Sequence, residues 1–161
     1  MVKVIIVGGG FGGLNAAQAL KNARLNVTLF DQVNHHLFQP LLYQAATAAL
    51  SIENIASPIR EILRRQANAE VLMATIVRID KVEQKVYTAD GESFFYDYLI
   101  LAPGVRQSYF GHPQWEAVAP GLKTAADAIR IREKILLAFE KAEQCKDPKK
   151  AQEFLRFAVI G

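Results

Sequence analysis

Apolar runs and helical stretches alternate along the start of the chain. Residues Val2–Val7 form a β-branched run that ends at glycine, a pattern typical of a strand buried on both faces of a parallel sheet. Leu14, Ala17 and Leu20 then recur at helical spacing, and residues 26–31 form a second strand-like run. The order strand, helix, strand predicts a βαβ unit.

The segment after the second strand is predicted to be helical. Residues 41–50 are rich in alanine, which favours a helix. Ser57 and Pro58 precede Ile59 and Ile62, so they mark a second helix start with proline at its first position.

Short β-rich runs follow between residues 69 and 101. The first three lie at residues 70–72, 75–79 and 85–88. Asp90 and Gly91 are typical of a hairpin turn, so this stretch predicts a small antiparallel insertion. Tyr98–Leu101 is another apolar strand, and it stops at Ala102.

The last third predicts a long helix at about residues 124–145, opened by the capping pair Thr124 and Asp127. Its apolar positions form two adjacent stripes: Ile129, Leu136 and Phe139, then Ile131, Ile135 and Ala142. The lysine-rich residues 146–150 predict a solvated break. Residues 157–161 resemble a further strand meeting a glycine, so we expect one domain over residues 1–156 and the first strand of a second at 157–161.

Composition narrows the functional classes. The 161 residues are 51% hydrophobic and 22% charged, with no apolar run long enough to span a bilayer, which predicts a globular, cytoplasmic protein. The net charge of +3 comes from scattered residues, which argues against a nucleic-acid partner. Cys145 is the single cysteine, so an internal disulfide, a redox pair and a cysteine zinc site are excluded within this sequence.

The glycines between the first strand and first helix carry the clearest chemical signal. Gly8, Gly10 and Gly13 match G-x-G-x-x-G, and Asp31 closes the next strand. In such a motif the glycines permit a tight turn, let a pyrophosphate approach the backbone closely and allow the helix to pack on the strand. The acidic side chain accepts hydrogen bonds from ribose hydroxyls. An ordinary structural turn is the alternative. The predicted binding residues here are Gly8, Gly10, Phe11, Gly12, Gly13 and Asp31.

The glycine motif does not distinguish FAD from NAD, but a family resemblance does. The resemblance lies in residues 4–14, 35–44, 57–60 and 96–104. These segments resemble the type II NADH dehydrogenases, single-chain flavoproteins within the pyridine nucleotide oxidoreductases that bind two dinucleotides. The resemblance covers essentially the whole chain.

The resemblance implies a Rossmann-like α/β FAD-binding domain, with a parallel sheet and a small antiparallel β insertion. It implies that FAD lies on the glycine turn, with Gln39 and Pro40 approaching the flavin ring. Ala102, Pro103 and Gly104 resemble the family's Ala-Thr-Gly signature, although Pro103 removes a hydroxyl and a backbone N–H from it.

The resemblance also implies an activity, in which hydride passes from NADH to FAD and electrons then pass to a quinone. No catalytic side chain is expected, because the cofactors carry this chemistry. The NADH-binding motif and a C-terminal segment of the family are absent from the sequence, so this piece is expected to be inactive alone. The whole protein is expected at the cytoplasmic face of the inner membrane, and self-association of the piece is a further hypothesis.

Two other functions stay open at this point. One is a different two-dinucleotide flavoprotein, such as a ferredoxin reductase or a sulfide:quinone reductase, and the other is a non-catalytic nucleotide-binding module. His35 and His36 suggest a metal or catalytic site, but adjacent strand residues face opposite ways and no further ligand has suitable spacing. We therefore expect no metal site and interpret both histidines as shaping a loop beside the cofactor.

Overall fold

The computed structural model describes residues 1–160 and divides them into two compact units. The first unit contains Met1–Leu37 and Ala56–Arg106, and the second contains Phe38–Ile55 and the chain from Gln107 onward. Both lie within the predicted 1–156 domain except for the last few residues.

A four-stranded parallel sheet forms the centre of the first unit. Its strands are β1 (Val2–Val7), β2 (Leu25–Asp31), β5 (Ala69–Met73) and β9 (Tyr98–Leu101). The order across the sheet is β5-β2-β1-β9, and helix α1 (Phe11–Ala19) connects β1 to β2. The predicted βαβ unit and α/β fold are therefore confirmed.

Both faces of the parallel sheet are covered, as the continuous apolar strands predict. On one face, Ile6 and Leu29 pack in a cluster with Leu14, Ala17 and Ile59. Ile6, Leu29, Ala17 and Ile59 are all completely buried. The helices α1 and α3 (Ile59–Leu63) supply this cover.

The opposite face of the parallel sheet is covered by a small antiparallel sheet. Its strands are β6 (Ile76–Asp80), β7 (Lys85–Thr88) and β8 (Ser93–Phe95), in the order β6-β7-β8. Val86 of β7 is buried against Ile5 and Phe30. Gly91, with φ of +91°, lies in the turn between β7 and β8, which confirms the predicted hairpin.

One strand of the predicted antiparallel insertion was assigned to the wrong sheet. The run at residues 70–72 lies in β5, which pairs in parallel with β2, and Val27 is opposite Ala69. A short apolar run indicates a strand, but its pairing partner depends on the path of the whole chain. The predicted antiparallel insertion is therefore limited to the runs that follow β5.

The segment after β2 is only partly helical, contrary to its prediction. A two-stranded antiparallel pair, β3 (His35–Leu37) with β4 (Ala56–Pro58), closes this stretch. Pro58 is the N-cap of α3 and not its first helical residue, because its ψ of 128° is extended. The Ile59 N–H then donates to the Asn34 carbonyl at 3.0 Å, which fixes the start of α3 beside β3.

In the second unit, the helix predicted at residues 41–50 is much shorter. A turn of 3-10 helix at Gln39–Leu41 leads into α2 (Leu42–Ala46), and another lies at Ile52–Asn54. Ala48 has a φ of 64°, a left-handed conformation that an α-helix does not contain. The alanine-rich composition therefore indicated the helix but not its end.

The long helix α4 (Ala125–Gln144) confirms its prediction, and Cys145 is its C-cap. Ala128 and Ala142 are its buried positions, whereas Ile129, Leu136 and Phe139 are about half exposed, at 46%, 46% and 50%. The buried side of α4 therefore follows the predicted stripe of Ile131, Ile135 and Ala142, in which both isoleucines are half-buried, and the stripe of Ile129, Leu136 and Phe139 is the more exposed one.

The predicted solvated break and final strand both differ in the structure. Residues 148–150 begin a helix, α5 (Pro148–Phe154), because Asp147 accepts the Lys149 N–H at 3.0 Å and caps it. Residues 157–160 are irregular, with Val159 97% exposed, and Gly161 lies outside the described residues. No strand partner lies beside residues 157–160 in the described chain, so the predicted strand does not form there. Among the described residues, the helices are all too short or too polar to cross a membrane.

The capping box of α4 gives a pH-dependent stability prediction. The Thr124 hydroxyl accepts the Asp127 N–H at 3.1 Å, and the Asp127 carboxylate accepts the Thr124 N–H at 2.9 Å. Partial burial raises the pKa of Asp127, but hydrogen bonds from Thr124 and Lys123 outweigh it and lower the pKa below its ordinary 3.8. The carboxylate therefore stabilises the fold above pH 3.8, and this contribution is lost as pH falls through the lower folded-state value.

We expect Asp127→Asn to reduce the free energy of unfolding by about 1 kcal/mol at pH 7, measured by urea unfolding. The difference from wild type should disappear in acid, because wild-type Asp127 is then also neutral. The matched control is Glu133→Gln, an exposed carboxylate in the same helix, which should change stability little. An Asp127→Asn deficit that persists unchanged in acid would contradict this role.

Candidate functional site

The glycine turn lies at the carboxyl end of the parallel sheet, between β1 and α1. The Gly8 N–H donates to the Phe30 carbonyl at 2.7 Å, and the Ala102 N–H donates to the Val7 carbonyl at 2.8 Å. The ends of β2 and β9 therefore hold the turn from both sides of β1. The carboxyl end of such a sheet is where ligands bind in open α/β folds.

Two glycines of the motif are required by the packing of the protein itself. Gly8 has φ of +105°, and a Cβ there would lie 2.1 Å from the Ala102 carbonyl oxygen. A Cβ at Gly13 would lie 1.7 Å from the Gly8 carbonyl oxygen. Only glycine permits both the turn and the close approach of α1 to β1.

At position 10, by contrast, nothing in the described part of the chain requires a glycine. The φ of −71° and ψ of −165° of Gly10 suit any residue, and it is exposed. No heavy atom of the described residues outside its immediate neighbours lies within 4 Å of the position that a Cβ would occupy. The open space beside Gly10 is at the N-terminus of α1, where backbone N–H groups and the helix dipole favour an anion.

Asp31 is the last residue of β2 and is tied to the turn. One carboxylate oxygen accepts the Gly9 N–H at 2.5 Å, and the other accepts the Val33 N–H at 2.8 Å. The side chain remains partly exposed. Each carboxylate oxygen has a further lone pair, so Asp31 can hold the turn and still accept another hydrogen bond.

The end of β9 lies against the same turn. The Ala102 Cβ is 3.6 Å from the Cβ position of Gly12, and the Pro103 Cα is 3.3 Å from that of Gly8. Gly104 has φ of +71°, a left-handed conformation that favours glycine. Phe11 is the first residue of α1 and is 43% exposed.

The structure thus brings together most of the predicted site within the first unit. These residues are Gly8, Gly10, Phe11, Gly12, Gly13, Asp31, Ala102, Pro103 and Gly104. Gln39 and Pro40 belong to the second unit, in the 3-10 turn, where the Gln39 amide donates to the Lys123 carbonyl at 3.1 Å. Their approach to a flavin stays a prediction.

The sequence did not identify Gly9 as a site residue, and it placed His36 only in a loop beside the cofactor. Gly9 is buried, and a Cβ there would lie 2.4 Å from the Ile59 Cδ1 atom. The His36 ring nitrogen Nδ1 lies 3.2 Å from the Gly9 carbonyl oxygen. The run of three glycines and the pair of histidines were visible signals, but only the folded chain shows that they meet.

Comparison with known proteins shows which family shares this sequence. A family model described as pyridine nucleotide-disulphide oxidoreductase matches residues 2–161. The type II NADH:quinone oxidoreductase Ndh of Mycobacterium tuberculosis is 46% identical over an alignment of 162 positions. The alignment covers 99% of this chain and 35% of that protein. Its relative NdhA from the same organism is 47% identical, with 99% of this chain and 34% of that protein covered.

Solved structures show the same fold. NDH2 of Plasmodium falciparum, determined in complex with NADH, matches with a TM-score of 0.79 and 28% identity, covering 88% of this chain and 30% of that one. A sulfide:quinone oxidoreductase of Aquifex aeolicus matches with a TM-score of 0.80 and 27% identity, covering 87% and 33%. The chain therefore spans about a third of the length of the proteins that it resembles.

Proposed function

Because this chain belongs to the pyridine nucleotide-disulphide oxidoreductase family, we propose that its first unit binds the pyrophosphate and adenosine half of FAD at the glycine turn. The observation that carries the proposal is Gly10. Its Cβ position is open, whereas those of Gly8 and Gly13 are filled by the protein's own backbone. A glycine that the fold does not require is explained by a group that approaches the backbone from outside.

The residues at the turn suit a dinucleotide of this kind. The N-terminus of α1 offers backbone N–H groups and a positive dipole end to a pyrophosphate. We expect Asp31 to accept a hydrogen bond from a ribose hydroxyl, and its negative charge would repel a 2′-phosphate. FAD, when bound, supplies a flavin ring that accepts hydride, so the chain's own task is to hold the cofactor in place.

For the whole protein we propose NADH oxidation through FAD, with a quinone as the electron acceptor. This proposal is supported by the two mycobacterial relatives, which are 46% and 47% identical and are named NADH:quinone oxidoreductases. The residues described here would hold FAD, while NADH and quinone would be bound by parts beyond this third of the protein. Since quinones are lipid-soluble, we also propose that the whole protein works at the cytoplasmic face of a membrane.

The alternative flavoproteins are less well supported. The TM-scores of 0.79 and 0.80 for NDH2 and the sulfide:quinone oxidoreductase do not separate the two activities. Sequence identity does, since it is 27% to the sulfide:quinone oxidoreductase and 46–47% to the mycobacterial NADH:quinone oxidoreductases. Disulfide chemistry within this chain is excluded, because Cys145 has no second cysteine to pair with.

The proposed site can be tested at Asp31. We expect Asp31→Asn to weaken FAD binding by about 1–3 kcal/mol, because the neutral amide loses the charge that strengthens the proposed hydrogen bond from the ribose hydroxyl. The measurement is a titration of the purified chain with FAD, followed by flavin fluorescence. Circular dichroism should show that the variant remains folded.

The matched control is Asp97→Asn. Asp97 also accepts a backbone N–H, that of Lys3 at 2.7 Å, but it precedes β9 and lies at the opposite end of the sheet. Its replacement should leave FAD affinity unchanged. Equal affinities for wild type and Asp31→Asn would remove Asp31 from the site, and no FAD binding by the wild-type chain would contradict the proposed function itself.

A further inference from the structure

Both backbone polar groups of Gly9 are held by side chains from one short stretch, which runs from the last residue of β2 to the middle of β3. Its N–H donates to the Asp31 carboxylate at 2.5 Å. Its carbonyl oxygen lies 3.2 Å from Nδ1 of His36. Because Gly9 is buried and clamped at both ends, the peptide that joins it to the exposed Gly10 has little freedom to rotate.

His36 is itself fixed in place. It lies in the middle of β3, opposite Ser57 of β4. Its ring packs edge to face on Phe11, with ring centroids 4.9 Å apart and planes at 86°. The ring therefore contacts both the Gly9 carbonyl and the first residue of α1, on either side of Gly10.

The chemistry of the contact assigns a proton. A backbone carbonyl oxygen only accepts hydrogen bonds, so Nδ1 of His36 must carry the hydrogen. Neutral His36 therefore has to adopt the Nδ1–H tautomer, and the protonated ring would satisfy the same contact. The Nε2–H tautomer would instead place a ring lone pair against the carbonyl lone pairs.

The direction of the Gly10 N–H follows from the geometry of the peptide bond. The Gly9 carbonyl and the Gly10 N–H belong to one planar peptide unit, and in the trans form they point in opposite directions. With the carbonyl directed at His36, the N–H is directed away from it. Rotation of this peptide would turn the N–H away from that direction.

We propose that His36 is a positioning residue for the dinucleotide. By donating from Nδ1 to the Gly9 carbonyl, it sets the orientation of the Gly9–Gly10 peptide and hence of the Gly10 N–H that meets the pyrophosphate. The inference rests on the proposed function, since it requires FAD at the glycine turn. His36 contacts the turn and acts on the cofactor only through it.

Three variants of the chain test this role by FAD titration. His36→Leu removes the donor and keeps an apolar side chain, so affinity should fall about three- to tenfold, the factor that one hydrogen bond contributes. His36→Asn keeps an N–H donor near the position of Nδ1 and should bind within about twofold of wild type. His35→Leu is the matched control, because His35 is the neighbouring strand residue and its Nδ1 lies 3.4 Å from the Asn34 side-chain oxygen, outside the turn.

The tautomer of His36 gives a readout that does not depend on binding. Long-range proton–nitrogen NMR spectra of the free chain should show His36 as the Nδ1–H form, with His36→Asn identifying its signals. An Nε2–H tautomer for His36 would overturn the assignment. So would a His36→Leu variant that binds FAD as tightly as wild type.

A separate variant distinguishes failure of this inference from failure of the proposed function. If Gly10→Val loses FAD binding while His36→Leu does not, only the positioning role is wrong. If Gly10→Val also binds FAD normally, the proposed site is wrong and the role of His36 falls with it. Full loss in Gly10→Val, partial loss in His36→Leu and recovery in His36→Asn is the expected pattern.

Discussion

Replacing Gly10 with valine is expected to abolish FAD binding while the protein stays folded. The Cβ of valine at this position would enter the open space beside the N-terminus of α1, where no atom of the described chain outside its immediate neighbours lies within 4 Å. A pyrophosphate that meets the backbone at Gly10 would have to occupy the same space. We expect affinity to fall by at least about a hundredfold, or roughly 2.7 kcal/mol.

The stability of Gly10 variants separates this effect from misfolding. Gly10 has φ of −71°, which any residue adopts without strain. Gly10→Ala should therefore change the free energy of unfolding by no more than about 1 kcal/mol, because alanine restricts the unfolded chain but is a weaker N-cap of α1 than glycine, and the two effects oppose each other. FAD titration and thermal unfolding of Gly10→Ala and Gly10→Val should show binding lost in order of side-chain size, with both variants still folded and only a small change in melting temperature. Unchanged FAD affinity in folded Gly10→Val would exclude this turn as the binding site.

Elements with a strong local signal could be predicted from the sequence. Val2–Val7, interrupted only by Lys3, and Tyr98–Leu101 are apolar runs with clear ends, and the structure has strands with those bounds. Thr124 and Asp127 stand three residues apart before a long periodic run, and they form the capping box of α4. In each case residues close together in the sequence carry the signal for the element.

The predicted elements are wrong where contacts with residues distant in the sequence determine the structure. The run at 70–72 has strand character, but the backbone of β2 determines that it joins the parallel sheet. Pro58 is compatible with the first turn of a helix, yet its pairing with His35 makes it the end of β4. Residues 157–160 have strand composition and no neighbouring strand among the described residues, so composition alone does not form one there.

The candidate site shows the same division. The motif spacing identified Gly8, Gly10 and Gly13 together with Asp31, because the spacing itself reflects the geometry of a strand, a turn and a helix. The contact between His36 and Gly9 joins residues 27 positions apart and has no signature in spacing. The motif treats its three glycines alike. The structure shows that the fold itself requires Gly8 and Gly13 but not Gly10.

For Gly13, unlike Gly10, we expect substitution to destabilise the fold. A Cβ at Gly13 would lie 1.7 Å from the Gly8 carbonyl oxygen and 3.2 Å from Cγ2 of Ile6. The first of these atoms is backbone in a turn held by the Gly8 N–H bond to Phe30, so it cannot move aside as a side chain could. We expect Gly13→Ala to reduce the free energy of unfolding by about 3 kcal/mol or more, the upper range for overpacking. In a protein of this size the melting temperature should fall by roughly 6–12 °C.

The control for Gly13→Ala is Gly12→Ala, one residue earlier in the same helix. A Cβ at Gly12 would lie 3.6 Å from the Ala102 Cβ, an ordinary van der Waals contact, so stability should stay the same or rise slightly. Thermal unfolding followed by circular dichroism measures both variants without any cofactor. Because α1 must move away from β1 to admit the Gly13 methyl group, the N–H groups at its first turn would move with it, and the loss of FAD affinity should accompany the loss of stability. A Gly13→Ala protein as stable as Gly12→Ala would mean that α1 and β1 are not packed as closely as the motif requires.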